Sequence, residues 1–118
     1  MDLYSLEYRS RSTTYLQDAD DVFMNLSDRD STSWGAMIAG YATSGQTDKA
    51  FDCFQQMQEE GVMVDKVVCS SILKASGTRR NIWQGRLVCD KIIRAGIDID
   101  VILGNSIIDM YAKCGALA

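Results

Sequence analysis

Histidine and proline are missing from all 118 residues of this chain, and cysteine occurs four times. Without histidine, no side chain titrates near neutrality at its ordinary pKa, and no imidazole completes a mixed zinc site. Cys53, Cys69, Cys89 and Cys114 stand too far apart for paired-ligand spacing. We therefore expect no metal, and read all four as reduced, intracellular thiols. Cys53 and Cys89 lie in stretches of helical period, where a free cysteine behaves as a small apolar residue. The lack of proline leaves every turn to glycine and polar residues. No apolar run approaches the roughly 18 residues of a membrane-spanning helix, and the start, MDLYSLEYRSRS, lacks the apolar core of a secretory signal. Arg9 and Arg11 with nearby serines and threonines have the composition of an organelle transit peptide. Asp2 and Glu7 interrupt it and the stretch is short, so no transit peptide is assigned. There is no glycine-rich phosphate loop, and the one carboxylate cluster, Asp18-Asp20-Asp21, falls on an expected solvated helix surface. We expect no enzyme, no cofactor, no small-molecule substrate and no membrane partner.

What is present is a repeat. STSWGAMIAGYATSGQTDKAFDCFQQMQEEGVMVD (31–65) is followed by KVVCSSILKASGTRRNIWQGRLVCDKIIRAGIDID (66–100) and then by VILGNSIIDMYAKCGALA (101–118). Asp30, Asp65 and Asp100 close successive units at a spacing of 35. The same interval relates Met37, Ile72 and Ile107, or Gly61 and Gly96. A period of this size means a stacked array of small structural units. The expected division is 1–30 as a degenerate or partial unit, 31–65 and 66–100 as complete units, and 101–118 as a truncated one.

Each unit reads as two helices joined by a short turn. Leu16, Ala19, Val22, Phe23 and Leu26 form one helical face before the first complete unit, and Asp2-Leu3-Tyr4-Ser5 resembles Asp109-Met110-Tyr111-Ala112. In 31–65, Trp34, Met37, Ile38 and Tyr41 share a face; Gly45 suits a left-handed C-terminal position, Thr47 a cap, and Ala50, Phe51, Phe54 and Met57 the second face. In 66–100 the faces are Val68, Ile72, Leu73 and then Trp83, Leu87, Val88, Ile92, with an irregular turn expected over Ser76–Asn81. The last helix is expected from about Ile102 to Lys113, exposing Ile107, Ile108 and Met110, with Leu117 and Ala118 beginning another. One hairpin cannot bury both its faces, so the expected fold is all-α: a right-handed superhelical solenoid of stacked antiparallel helix hairpins.

The chain resembles the pentatricopeptide repeat family of plants, and within it the subclass that alternates repeat lengths. The residues carrying the resemblance are Asp28-Arg29-Asp30, Ser33-Trp34-Gly35-Ala36-Met37-Ile38-Ala39-Gly40-Tyr41-Ala42, Phe54-Gln55-Gln56-Met57-Gln58-Glu59-Glu60-Gly61 and the run from Gly104 to Gly115. A tetratricopeptide array would repeat at about 34 residues. The resemblance implies single-stranded RNA as partner, with one base read by a few side chains per unit. Its reading pairs map to Gly35 with Asp65, to Ser70 with Asp100, and to Asn105, whose partner lies past the last residue. The residues expected to pack against bases are Thr32, Val67 and Ile102. In the family, Asn paired with Asp favours pyrimidines, uracil above all. Gly35 has no side chain with which to read, and Thr32 departs from the apolar residue usual at its position. Ser70 and Asn105 also read as ordinary polar residues on a solvated face, and the closing aspartates as caps of the following helices.

The net charge is −4 with a sequence pI near 4.6, the wrong sign for a strong generic nucleic-acid binder. By unit, 1–30 holds 3 basic and 7 acidic side chains, 31–65 holds 1 and 5, 66–100 holds 7 and 3, and 101–118 holds 1 and 1. Lys74, Arg79, Arg80, Arg86, Lys91 and Arg94 are therefore the candidates for phosphate contact. The leading reading is sequence-selective RNA binding, weak in isolation, as part of an organelle RNA-processing or RNA-editing specificity factor that works with other RNA-processing proteins. By that resemblance the protein belongs in a mitochondrion or chloroplast. The alternatives are a protein-interaction solenoid and a truncated product without activity.

Overall fold

The computed structural model describes residues 15–115. Their regular structure is helical throughout: α1 over 15–25, α2 Ser31–Thr43, α3 Thr47–Glu59, α4 Lys66–Arg79, α5 Ile82–Arg94 and α6 Val101–Gly115. α2, α4 and α6 begin 35 residues apart, so the interval of the sequence is also that of the backbone. The readings placed on Asp2–Ser5, the transit-like start and Leu117–Ala118 fall outside the described residues.

An aspartate sets each of these starts. The Oδ1 of Asp30, Asp65 and Asp100 accepts the backbone N–H of Ser33, Val68 and Leu103 at 2.9, 3.0 and 2.8 Å. Each bond satisfies a donor that the first helical turn leaves open, and puts negative charge at the positive end of the helix dipole. The same bonds hold the carboxyls of Asp30 and Asp100 below their ordinary range.

Helix ends are closed by one device used four times. The N–H of Gln46, Val62, Asn81 and Ile97 bonds back to the carbonyl of Tyr41, Met57, Ser76 and Ile92 at 2.8–3.1 Å, around a residue in the left-handed region. Gly45, Gly61 and Gly96 adopt that conformation at φ 85, 73 and 68°, and Arg80 at φ 55°. The turn expected to be irregular is thus regular: α4 runs on to Arg79, and Arg80 occupies the place of Gly45 despite its Cβ. Thr47 is not a cap. It is the first residue of α3, buried, with an Oγ1 that finds no hydrogen-bond partner among the described residues, and Gln46 at the cap position makes no side-chain cap bond. Its counterpart Asn81 does cap α5, accepting from Gln84 N–H at 3.2 Å.

The helices form two layers. α2, α4 and α6 lie side by side, and α3 and α5 cover them from outside. α4 packs against the other four of these, whereas the backbones of α3 and α5 do not approach each other. α4 is consequently buried on most sides, through Val68, Cys69, Ile72, Leu73, Ala75 and Ser76. Ile72 and Leu73 are wholly buried, each contributing about 1.5–3 kcal/mol. The buried Ser76 hydroxyl is satisfied by the Ile72 carbonyl at 2.8 Å. α1 packs on α2 through Phe23, which meets Trp34 edge-to-face at 4.7 Å; the Arg29 guanidinium covers both rings and pairs with Glu60.

Trp34, Met37, Ile38 and Tyr41 are buried as their spacing predicts. On α1 only Phe23 is buried; Leu16 is half-buried, and Ala19, Val22 and Leu26 are exposed. α5 departs further. Trp83 and Leu87, expected in the core, are 74% and 63% exposed, and the buried ridge is Gly85, Val88 and Ile92. The cause is Met110, reaching over from α6: a Cβ on Gly85 would lie 2.6 Å from its Cε. The methionine fills the space that a side chain at 85 would take, which turns that ridge inward. Met110 is therefore wholly buried rather than exposed, while Ile107 is half-buried and Ile108 exposed.

Candidate nucleic-acid interface

The side chains singled out for RNA reading sit on the layer of α2, α4 and α6, because each occupies a fixed place after a capping aspartate. Thr32, Val67 and Ile102, the second residues of the three helices, are all exposed, the last two at 61% and 73%. The branched apolar side chains of Val67 and Ile102 offer surface against which a base can pack. Ser70 and Asn105, the fifth residues of α4 and α6, face one open groove of about 400 Å³, together with Thr43, Ser71, Lys74, Ser106, Asp109 and Lys113.

Helical geometry explains this lining. Ser70 and Lys74 are one turn apart on α4, and Asn105, Asp109 and Lys113 rise turn by turn on α6. The Lys113 ammonium pairs with Asp109 at 2.9 Å, whereas Lys74 has no ion pair among the described residues. The groove is thus locally positive on a chain of net charge −4. Hydroxyls and an amide offer both donors and acceptors to a base edge, and the ammonium groups suit a phosphate.

Gly35 is placed differently. It is buried where α2 meets α4, and a Cβ there would lie 3.6 Å from Val68 Cγ2 and 3.8 Å from Val67 Cγ1. The structure does not bring it to the groove wall. Asp65 and Asp100 each spend one oxygen on a cap, and the second oxygen of Asp100 takes a bond from Lys66 at 3.2 Å, joining the first and last residues of unit 66–100.

The six basic side chains considered for phosphate contact do not act together. Lys74 lines the groove. Arg79 is tied to Asp48 at 2.6 Å, Arg80 sits in the turn before α5, Arg86 is exposed on α5 away from the groove, and Lys91 and Arg94 line a separate cleft between α3 and α5. Lys113 and Asp109 were not singled out by sequence reasoning; their signal is the spacing of four and eight residues beyond Asn105 on one helix. The four thiols are free, and burial pushes those of Cys53 and Cys69 up to about 11, so neither is a ready nucleophile near neutrality. Among the described residues no side-chain cluster suits a metal ion, and no helix is long and apolar enough to cross a membrane.

Comparison with known proteins points to one family. Residues 29–77 match the model of the PPR repeat family. The chain is 35% identical over 102 residues to a mitochondrial pentatricopeptide repeat-containing protein of Arabidopsis thaliana, covering 86% of this chain and 10% of that protein. It is 36% identical over 106 residues to a chloroplastic one from the same plant, covering 88% of this chain and 20% of that protein. A third from Arabidopsis thaliana is 39% identical over 101 residues, covering 85% of this chain and 18% of the relative. The chain thus spans between a tenth and a fifth of the length of these relatives.

Proposed function

The chain belongs to the pentatricopeptide repeat family, whose members are generally RNA-binding organellar proteins, and on that premise we propose that its inner groove binds single-stranded RNA, selectively by sequence. One observation carries the reading: Ser70 and Asn105, at equal places in successive units, open into the same groove beside Lys74. In this reading the units are 1–30, 31–65, 66–100 and 101–118. Asn105 meets one base edge through its amide, Ser70 with Asp100 the neighbouring base, and Val67 and Ile102 pack against the bases. Thr32, Gly35 and Asp65 form the matching slot of the preceding unit, which lacks a reading side chain. The protein acts in a mitochondrion or chloroplast, the compartments named for two of its relatives, as part of an RNA-processing or RNA-editing specificity factor together with other RNA-processing proteins.

Fluorescence anisotropy with short labelled single-stranded RNAs at physiological salt tests this reading. Binding is expected to be weaker than micromolar, because the summed charge is negative and only two slots carry side chains. Asn105→Ala should reduce the preference among RNAs that differ at one base, and Lys74→Glu should weaken all of them alike and flatten the salt dependence. A micromolar or tighter constant would overturn the weakness. Measurable binding untouched by both substitutions would overturn the groove.

A further inference from the structure

The outer face carries a second concavity, independent of RNA reading. Between α3 and α5, whose backbones stay apart, lies an open cleft of about 680 Å³ whose apolar lining includes Phe51, Phe54 and Leu87. Its two walls differ in sign. Of the charged residues that line it, α3 contributes Asp52, and α5 contributes Lys91 and Arg94 against Asp90. Within the cleft, Lys91 reaches Gln58 and Arg94 pairs with Asp90 at 2.9 Å, so the walls are ordered but remain opposite in net charge. On α5, one helical turn apart, stand Trp83 and Leu87, both largely exposed among the described residues. A tryptophan and a leucine standing together on a charged outer face are what a desolvated contact surface requires.

We propose that this face pairs with the same face of a second copy about a twofold axis. Each α5 ridge of Trp83 and Leu87 enters the cleft of the other copy, and each acidic α3 wall lies against the other's basic α5 wall. The charge pattern selects this occupant. A partner of uniform sign is repelled by one of the two walls, whereas the chain itself carries both signs in the order that a twofold contact brings together, twice per dimer. The groove of Ser70 and Asn105 belongs to the other layer and stays open in such a dimer.

Sedimentation velocity of the whole chain tests this, over about 1–100 µM, the weak end of the range for specific interfaces. A reversible monomer–dimer equilibrium is expected, weakened by salt. Trp83→Ala with Leu87→Ala should raise the dissociation constant about tenfold or more. Asp52→Arg and Arg94→Asp should each weaken dimerisation, and the two combined in one chain should restore it. All four positions are exposed, so the variants should keep the parent circular dichroism and melting, and the charge set is read even if the apolar pair alters the fold. A chain that stays monomeric throughout, a dimer indifferent to Trp83 and Leu87, or a charge-swapped chain no tighter than either single variant overturns the proposal.

Discussion

At the fourth position of its first helix, Ser31–Asp65 carries Trp34, and at the same position Lys66–Asp100 carries Cys69; both are wholly buried. The two hairpins share helix lengths within a residue, the aspartate caps and the turn bonds. They differ in how the common slots are filled. Trp34 meets the ring of Phe23 in the helix before it, while Cys69 lies in α4, between α2 and α6. The difference teaches that the caps and turns set the repeat, and that side-chain volume within it is settled by whichever helix lies next door.

The strongest way to break this comparison is to truncate both slots. Trp34→Ala should cost about 3–5 kcal/mol and Cys69→Ala about 1 kcal/mol, read by urea unfolding. Equal losses would show that the two units do not draw on different neighbours. The turns sharpen it next, with opposite signs. Gly45→Ala places a Cβ at φ 85° and should destabilise by about 1 kcal/mol, whereas Arg80→Gly relieves φ 55° and should stabilise by up to about 1 kcal/mol. A smaller effect is expected where α3 and α5 begin. Thr47 buries an unbonded hydroxyl where Ile82 stands in the next unit, so Thr47→Val should be neutral or stabilising by a few tenths of a kcal/mol. A loss of more than about 1 kcal/mol would mean that the hydroxyl is bonded.

The last test is confined to alkaline solution. Burial raises the Cys53 and Cys69 thiols from 9.0 to about 11, and the Tyr41 phenol from 10.0 to about 12. Groups with raised folded values favour the unfolded chain once it can ionise. Their contribution is complete below about pH 9 and is lost as pH rises through 11 and 12. The melting temperature should therefore hold up to pH 9 and fall beyond it, and less steeply in Cys53→Ala and Cys69→Ala variants compared with their own neutral-pH values.

The helices of Ser31–Asp65 were legible because Trp34, Met37, Ile38 and Tyr41 recur at the spacing of a single face. α4 was harder: buried on most sides, it has no clean stripe, and Gly77 and Ser76 looked like a turn although both are buried within the helix. α5 misled for another reason. Trp83 and Leu87 outweigh Gly85 in any count of apolar residues, yet Gly85 is the buried position, because the volume it lacks is supplied by Met110, 25 residues later. In the groove, Ser70 and Asn105 were picked out by the resemblance to the pentatricopeptide repeat family, and the 35-residue ruler sets them at equal places. Asp109 and Lys113 were not, although they lie four and eight residues beyond Asn105 on the same helix, because it took the packing of α6 against α4 to show a groove there. Gly35 was recognised as having nothing to read with; that α4 also covers it required the packing.

The aspartate caps have a consequence for rearranging such chains. Asp65 ends one unit in sequence, but its side chain holds the first turn of the next, as Asp30 and Asp100 do at their own junctions. A unit exchanged or duplicated with its boundary drawn just before Ser31 or Lys66 leaves its cap behind with the neighbour. The better seam runs through the turn at Gly45 or Arg80, midway along a hairpin, where the joint is made by backbone bonds around one residue in the left-handed region, a place that glycine fills without strain. The piece that transfers intact is then the second helix of one hairpin with the first helix of the next.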